Sequence, residues 1–254
     1  MEPKLRDIMS ITLLAGEVLL RNGAETYRVE ETMVHVGKAC GAKRVEAFVI
    51  PTGIIATILT DQGEATLCMR VKERTINLSR VVNVNELSRR LSDGRIAPEQ
   101  ALNLLGRISR ERTEFNLPVL IIASGLVGAS FVLAQNATIW EVIPAFLAAM
   151  LVRYIAHLVS HFRMVRFLFE FLGAASAALI GIAAHQIMPE INRDIVIVGA
   201  LMPLVPGVAI TNSIRDVIAG DLLAGISRAL EGLLTASAIA MGVGLVLTTW
   251  WGGY

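Results

Sequence analysis

The chain has 254 residues, 54% of them hydrophobic, and a mean hydropathy of +0.60, which is high for a water-soluble globular domain. Its 23 basic and 22 acidic side chains nearly cancel, so no nucleic-acid partner is expected. The two cysteines, Cys40 and Cys68, form no CxxC or Cys/His spacing and read as two free, buried thiols in a reducing compartment, not as a disulfide framework.

The charge balance hides a segregation. Residues 1–116 hold 17 basic and 15 acidic side chains, whereas residues 117–254 hold six and seven. A charged front half precedes an apolar back half. The opening MEPKLRDIMSITLLAG is a poor secretory signal, since its apolar run is short and flanked by Asp7 and Glu17.

Two helices are expected first. Over Leu5–Leu20, the residues Ile8, Ile11, Leu14, Ala15, Val18 and Leu19 fall on one helical face. Asn22-Gly23 is a stop signal, because both residues tolerate a left-handed backbone. The pattern resumes over Glu25–Cys40, with Val29, Met33 and Val36 on one side, and Gly41 ends it. The period then changes. Val45–Ile50, Ile54–Leu59 and Ala65–Val71 are short and rich in β-branched residues, with turns at Pro51-Thr52-Gly53 and Asp61-Gln62-Gly63. A three-stranded antiparallel meander is expected, supported by helices on one face because a bare small sheet is marginal. Helices near Asn83–Ser92 and Pro98–Arg112 complete this part.

Five apolar stretches follow: Leu117–Ala134, Ile139–Leu158, Phe167–Met188, Ile195–Ile210 and Ala229–Trp250. A helix needs about 20 residues to cross a hydrocarbon layer of about 30 Å. The fourth stretch is short, holds Pro203 and Pro206, and needs its polar extension to span. The expected fold is an α-helical polytopic membrane protein: a cytoplasmic α+β domain over residues 1–116, then a five-span domain over residues 117–254. Basic residues set the orientation. The segment before the first span is rich in them, Arg153, Arg163 and Arg166 follow the second, and Arg215 and Arg228 follow the fourth. The opposite loops carry only Arg193. This bias places the N-terminus in the cytoplasm and the C-terminus outside. Small residues such as Gly125, Gly128, Gly173 and Gly181 allow spans to approach closely.

No Gly-rich phosphate loop, HExxH, GxSxG or metal-ligand cluster is present, so no cofactor, metal or catalytic residue is expected. His35 stands alone on a helix and reads as structural or exposed.

Three segments together carry a resemblance: NGAETYRVEETM at 22–33, FVIPTGIIATI at 48–58 and PLVPGVAITNSIRDVIAGDLLAGISR at 203–228. The chain resembles the threonine/serine exporter family, in particular its YjjP-like branch, over essentially its whole length. That resemblance implies a cytoplasmic domain followed by five spans, in the cell membrane. It also implies a small multi-span membrane partner subunit, and as solute a small carboxylate: threonine or serine, or the dicarboxylate succinate. Self-association is left open.

The resemblance gives the interruption at 203–207 a meaning. Proline removes an amide donor and clashes with the preceding turn. Freed backbone groups in lipid need protein or cavity water to satisfy them. A helix restarting at Gly207 would point its positive end at the break, as broken transporter helices do toward anionic solute groups. Thr211, Asn212 and Arg215 follow at helical spacing, and a guanidinium can grip a carboxylate through two parallel bonds. Pro206, Gly207, Thr211, Asn212 and Arg215 are therefore the expected substrate-binding residues. Asp216, Asp221, Glu231 and Glu170 are the expected proton-coupling candidates, since a carboxyl with a raised pKa can carry a proton inward in exchange. The alternatives are a membrane-anchored sensor or regulator without transport and, from Gly220-Asp221, an intramembrane aspartyl protease. The protease lacks a second aspartate at comparable depth to share a proton.

Overall fold

The computed structural model describes residues 5–72, 74–110, 115–160 and 167–251. Arg163 and Arg166, which helped set the orientation, and Arg112, the expected end of the fourth helix, lie outside the described residues. The elements are α1 (Leu5–Arg21), α2 (Thr26–Ala39), β1 (Arg44–Ile50), β2 (Gly53–Thr60), β3 (Gly63–Arg70), α3 (Leu78–Ser92), α4 (Pro98–Arg110), α5 (Leu117–Ala134), α6 (Ile139–Ser160), α7 (Leu168–Ile187), α8 (Arg193–Leu201), a 3-10 turn (Met202–Leu204), α9 (Gly207–Ala219) and α10 (Leu222–Trp251).

The chain divides into two compact units. One joins the N-terminal elements α1 to α4 and the sheet with Val208–Leu230, while the other holds residues up to Gly207 from α5 onward and the chain from Glu231. The sequence reading drew one boundary near residue 116. In the structure, most of α9 and the first turns of α10 pack with the N-terminal elements.

In the first unit α1 is the central element. Ile8, Met9, Ile11, Ala15, Val18 and Leu19 are all buried, each burial contributing roughly 1.5–3 kcal/mol for the larger side chains. The helix packs on α2, α3, α4 and β2, which explains why its apolar stripe is broad. It crosses α2 closely: a Cβ on Gly16 would lie 2.4 Å from the sulfur of Met33. The sheet runs β1-β2-β3, antiparallel throughout, with Val45 opposite Ile58, Val49 opposite Ile54 and Ile54 opposite Met69. Ile54, Ala56 and Ile58 face α1 and are buried, as the alternation requires. α3 starts five residues before the expected Asn83, because the Asn77 side chain accepts the Arg80 amide at 3.2 Å and caps the helix.

The second unit is built from apolar helices. α5, α6, α7 and α10 are each long and apolar enough to cross a membrane, and α8 with α9 makes a fifth span if the broken pair counts as one. The small residues form the contacts expected of them. A Cβ on Gly128 would lie 2.9 Å from that of Ala149 and 3.0 Å from the carbonyl oxygen of Gly199. Gly181 meets Ile197 in the same way. Glu141, counted above among the charges of the apolar half, has a local role. It accepts the Thr138 amide (2.6 Å) and hydroxyl (2.9 Å) at the start of α6, and also the Asn192 amide at 3.2 Å.

Candidate functional site

The interruption is where the sequence put it. α8 tightens into the 3-10 turn at Met202–Leu204, the chain is extended at Val205, and α9 begins at Gly207. Gly207 is exposed and its missing Cβ would meet nothing within 4 Å; Pro206 is half-buried.

Asn212 and Asp216 lie four residues apart on α9, so they share a face, and that face is buried. What they meet is the Gly23–Thr26 loop between α1 and α2. The Asn212 side-chain amide donates to the Gly23 carbonyl at 2.9 Å. Gly23 has φ +92°, a left-handed turn that glycine adopts without strain. Asp216 is fully buried. One of its oxygens accepts the Thr26 backbone amide at 2.9 Å; the other accepts the Thr26 hydroxyl at 3.1 Å and pairs with Arg228 Nε at 3.0 Å. Arg228 also donates to the Ala24 carbonyl at 2.9 Å.

This arrangement has a physical reason. Thr26 is the first residue of α2, whose opening amides have no partner within the helix. Glu25 sits at the cap position but makes no side-chain cap. Asp216, 190 residues away in sequence, supplies the missing acceptor, and its charge suits the positive end of the helix. Burying that carboxylate is tolerable because Arg228 neutralises it.

Glu25 turns the other way, and its two oxygens face two arginines. Arg215 donates to Oε1 at 2.5 Å and Arg28 stands 3.7 Å from Oε2. The Glu25 side chain is 10% exposed, whereas Arg215 and Arg28 are 56% and 53% exposed. Burial pushes the Glu25 carboxyl up, but its own backbone amide, the Arg215 hydrogen bond and the charges of both arginines outweigh this. The net result holds it below the usual carboxylate range.

α9 ends in a Schellman turn. Gly220, at φ +97°, donates to Val217 and Asp221 donates to Asp216, at 3.1 and 2.9 Å. α10 starts directly after it, seven residues ahead of the expected apolar run, and packs on α9 at Gly225. A Cβ there would lie 2.4 Å from Val217. Asp221 is half-buried beside Phe48, Val49 and Ile50, and one of its oxygens is buried without a hydrogen bond. Burial and then the charge of Asp216 push its carboxyl up.

The expected site residues therefore separate. Asn212, Arg215 and Asp216 converge on the Gly23–Thr26 loop, and Asp221 lies at the turn just after α9. Thr211 is exposed. Glu170 is buried in the first turn of α7, and Glu231 is half-buried on α10. Glu25, Thr26 and Arg28 were not singled out from the sequence, although they stand in one of the three segments that carried the resemblance. Among the described residues, no group of three or more His, Cys, Asp or Glu side chains could hold a metal ion.

The segments that meet here, residues 22–33 and 203–228, both lie within a stretch, residues 10–250, that matches the ThrE threonine/serine exporter family. The chain belongs to that family. It is 23% identical over 242 residues to a "Probable threonine/serine exporter" of Mycobacterium tuberculosis, covering 94% of this chain but 45% of that protein. It is 26% identical over 247 residues to the "Probable succinate transporter subunit YjjP" of Klebsiella aerogenes and of Escherichia coli, covering 96% of this chain and 95% of each relative. It thus spans about half the length of the Mycobacterium exporter and nearly all of the YjjP proteins. No solved structure matches the chain. Family membership together with four or five apolar helices makes this a multi-pass membrane protein of a transporter family.

Proposed function

We propose that the chain is one subunit of a two-component secondary exporter that moves small carboxylates, threonine and serine or a dicarboxylate such as succinate, out of the cytoplasm. The observation that carries this reading is the match along nearly the full length of two relatives whose name is that of a transporter subunit. A small multi-span membrane protein completes the exporter. The N-terminal elements lie in the cytoplasm and the C-terminus outside, in line with the distribution of basic residues.

Arg215 and Asn212 stand nearest the solute, with Thr211, Pro206 and Gly207 lining its approach. Half-exposed Arg215 is available to a carboxylate, while Asn212 is already engaged by the loop. Export against a gradient runs on inward proton movement. Of the four acidic candidates, Asp221 fits best, being half-buried with a carboxyl pushed above its ordinary range. Asp216 fits least, since its charge is matched by Arg228 and its oxygens are used. Glu170, in the first turn of α7, and Glu231, nine residues into α10, remain candidates.

The test is counterflow in proteoliposomes holding this chain, its small membrane partner, or both, with labelled serine, threonine and succinate. Exchange is expected only with both proteins, and net export against a solute gradient, measured separately, should be abolished by dissipating the proton gradient. Failure of all three solutes to exchange, with both proteins folded and inserted, would favour a membrane-anchored regulator and overturn the exporter reading.

A further inference from the structure

The geometry points to Arg28 and Arg215 as a two-arginine seat for one carboxylate of the solute, with Glu25 behind them as a fixed internal counter-anion that sets how much negative charge the seat accepts. This inference rests on the carboxylate-export reading for the identity of the solute, not for the existence of the seat.

The two guanidiniums approach the same carboxylate from either side, one at each oxygen. They reach it from different elements, Arg28 from the first turn of α2 and Arg215 from α9, so the pair exists only because the Gly23–Thr26 loop is docked on α9. Glu25 is closed off from solvent while both arginines are more than half open. A guanidinium has five N–H donors, and Glu25 takes few of them. Both arginine side chains are more than half exposed, so donors that Glu25 does not take are within reach of an incoming carboxylate.

Charge arithmetic gives the selectivity. Two arginines and one ionised glutamate leave one net positive charge. Against the effect of burial, the Glu25 carboxyl is held below the ordinary range by its own backbone amide, the Arg215 hydrogen bond and the charges of both arginines. A single carboxylate, such as that of a zwitterionic amino acid, neutralises the seat. A dicarboxylate brings a second negative charge that the seat does not match. Glu25 is therefore a specificity-determining residue: removing its charge should favour dianions over zwitterions.

The experiment is equilibrium binding to the purified full-length chain in detergent or nanodiscs, with labelled succinate, serine and acetate at one pH and ionic strength. Glu25→Gln should raise the ratio of succinate to serine affinity by about tenfold, as one added unit charge near a dianion would. Arg215→Ala and Arg28→Ala should each weaken binding of all three probes by about tenfold or more, and Arg215→Lys should recover only part of it. Should Glu25→Gln fail to fold, Arg28→Gln, which leaves the Arg215–Glu25 pair in place, should lower the succinate-to-serine ratio instead. An unchanged ratio in a folded charge variant, or normal binding by either alanine variant, overturns the seat. Binding that follows this pattern without export would instead count against the exporter reading and leave the seat standing.

Discussion

Asp216 accepts the backbone amide of Thr26 across 190 residues of sequence, so a side chain of α9 caps α2. The same carboxylate is fully buried and pairs with Arg228. Removing one member leaves a buried charge without its partner, which costs more than the pair itself contributes. Asp216→Ala should destabilise the protein by about 3–5 kcal/mol, and Asp216→Ala with Arg228→Met should recover part of that loss. Thermal unfolding in detergent measures both. Additive losses in the double variant would mean that the two side chains act independently.

A different contact governs the apolar helices. A Cβ on Gly242 of α10 would stand 2.3 Å from the backbone carbonyl of Phe171 on α7, and backbone cannot step aside as a flexible side chain can. Gly242→Ala should cost about 1–3 kcal/mol by overpacking. Two residues on, Gly244 meets nothing within 4 Å, and Gly244→Ala should stabilise by about 0.5–1 kcal/mol through helix propensity. Opposite signs at positions two residues apart on one helix, read as shifts of the unfolding midpoint, check the α7–α10 contact. A tolerated Gly242→Ala would mean the helices are further apart than described.

The two thiols should behave differently. Cys40 is buried at the end of α2, as expected, and burial pushes its thiol up to about 11, whereas Cys68, expected to be buried, is exposed because most of β3 is open to solvent. The thiolate is the reactive form and must also be reachable. Maleimide at neutral pH should therefore modify one cysteine per native chain, at Cys68, and two after denaturation. Native labelling that survives Cys68→Ser would show that Cys40 is accessible.

The sequence made the elements legible where one local period dominates. The apolar run at Leu117–Ala134 matches α5 at both ends, and the β-branched runs Val45–Ile50 and Ile54–Leu59, bounded by turn residues, place β1 and β2 within a residue at each end. The positions of Pro203, Pro206 and Gly207 marked the break in the fourth span. What no local pattern carries is the meeting of residues 22–28 with residues 212–228. Asn212 and Arg215 read as free polar groups beyond a broken helix because their partners, Gly23 and Glu25, lie about 190 residues earlier. One hint was present. Glu25 is a weaker cap than Ser, Thr, Asn or Asp, so a helix starting there needs an acceptor from elsewhere. The division between units follows from the same contact, since α9 is held to the N-terminal elements by polar bonds that composition does not record.

Glu30 offers a test through pH. It lies on α2 and accepts the amide of Val49 at 2.7 Å, covering a donor on the edge strand β1. Burial pushes its carboxyl up, the Val49 amide opposes this, and the charges of Asp221 and Asp216 push it further up, for a net rise above the ordinary value of 4.5. The folded chain therefore holds the Glu30 proton more tightly than the unfolded chain does. Stability from this group is complete below the ordinary value and is lost as pH rises through the window between the ordinary and the raised value. Glu30→Gln cannot ionise yet keeps an oxygen for the Val49 amide. Its stability relative to the unaltered chain should accordingly rise between pH 4 and pH 7. Glu25, held below the ordinary value of 4.5, should act in a lower window: the unaltered chain keeps the full contribution of the charged glutamate above the ordinary value and loses it as pH falls toward the lowered one, so Glu25→Gln should gain on the unaltered chain on acidification below the ordinary value. Unfolding midpoints of the three proteins across both windows decide the matter. Parallel curves for Glu30→Gln and the unaltered chain would show that burial and the neighbouring aspartates together do not raise the Glu30 carboxyl above its ordinary value.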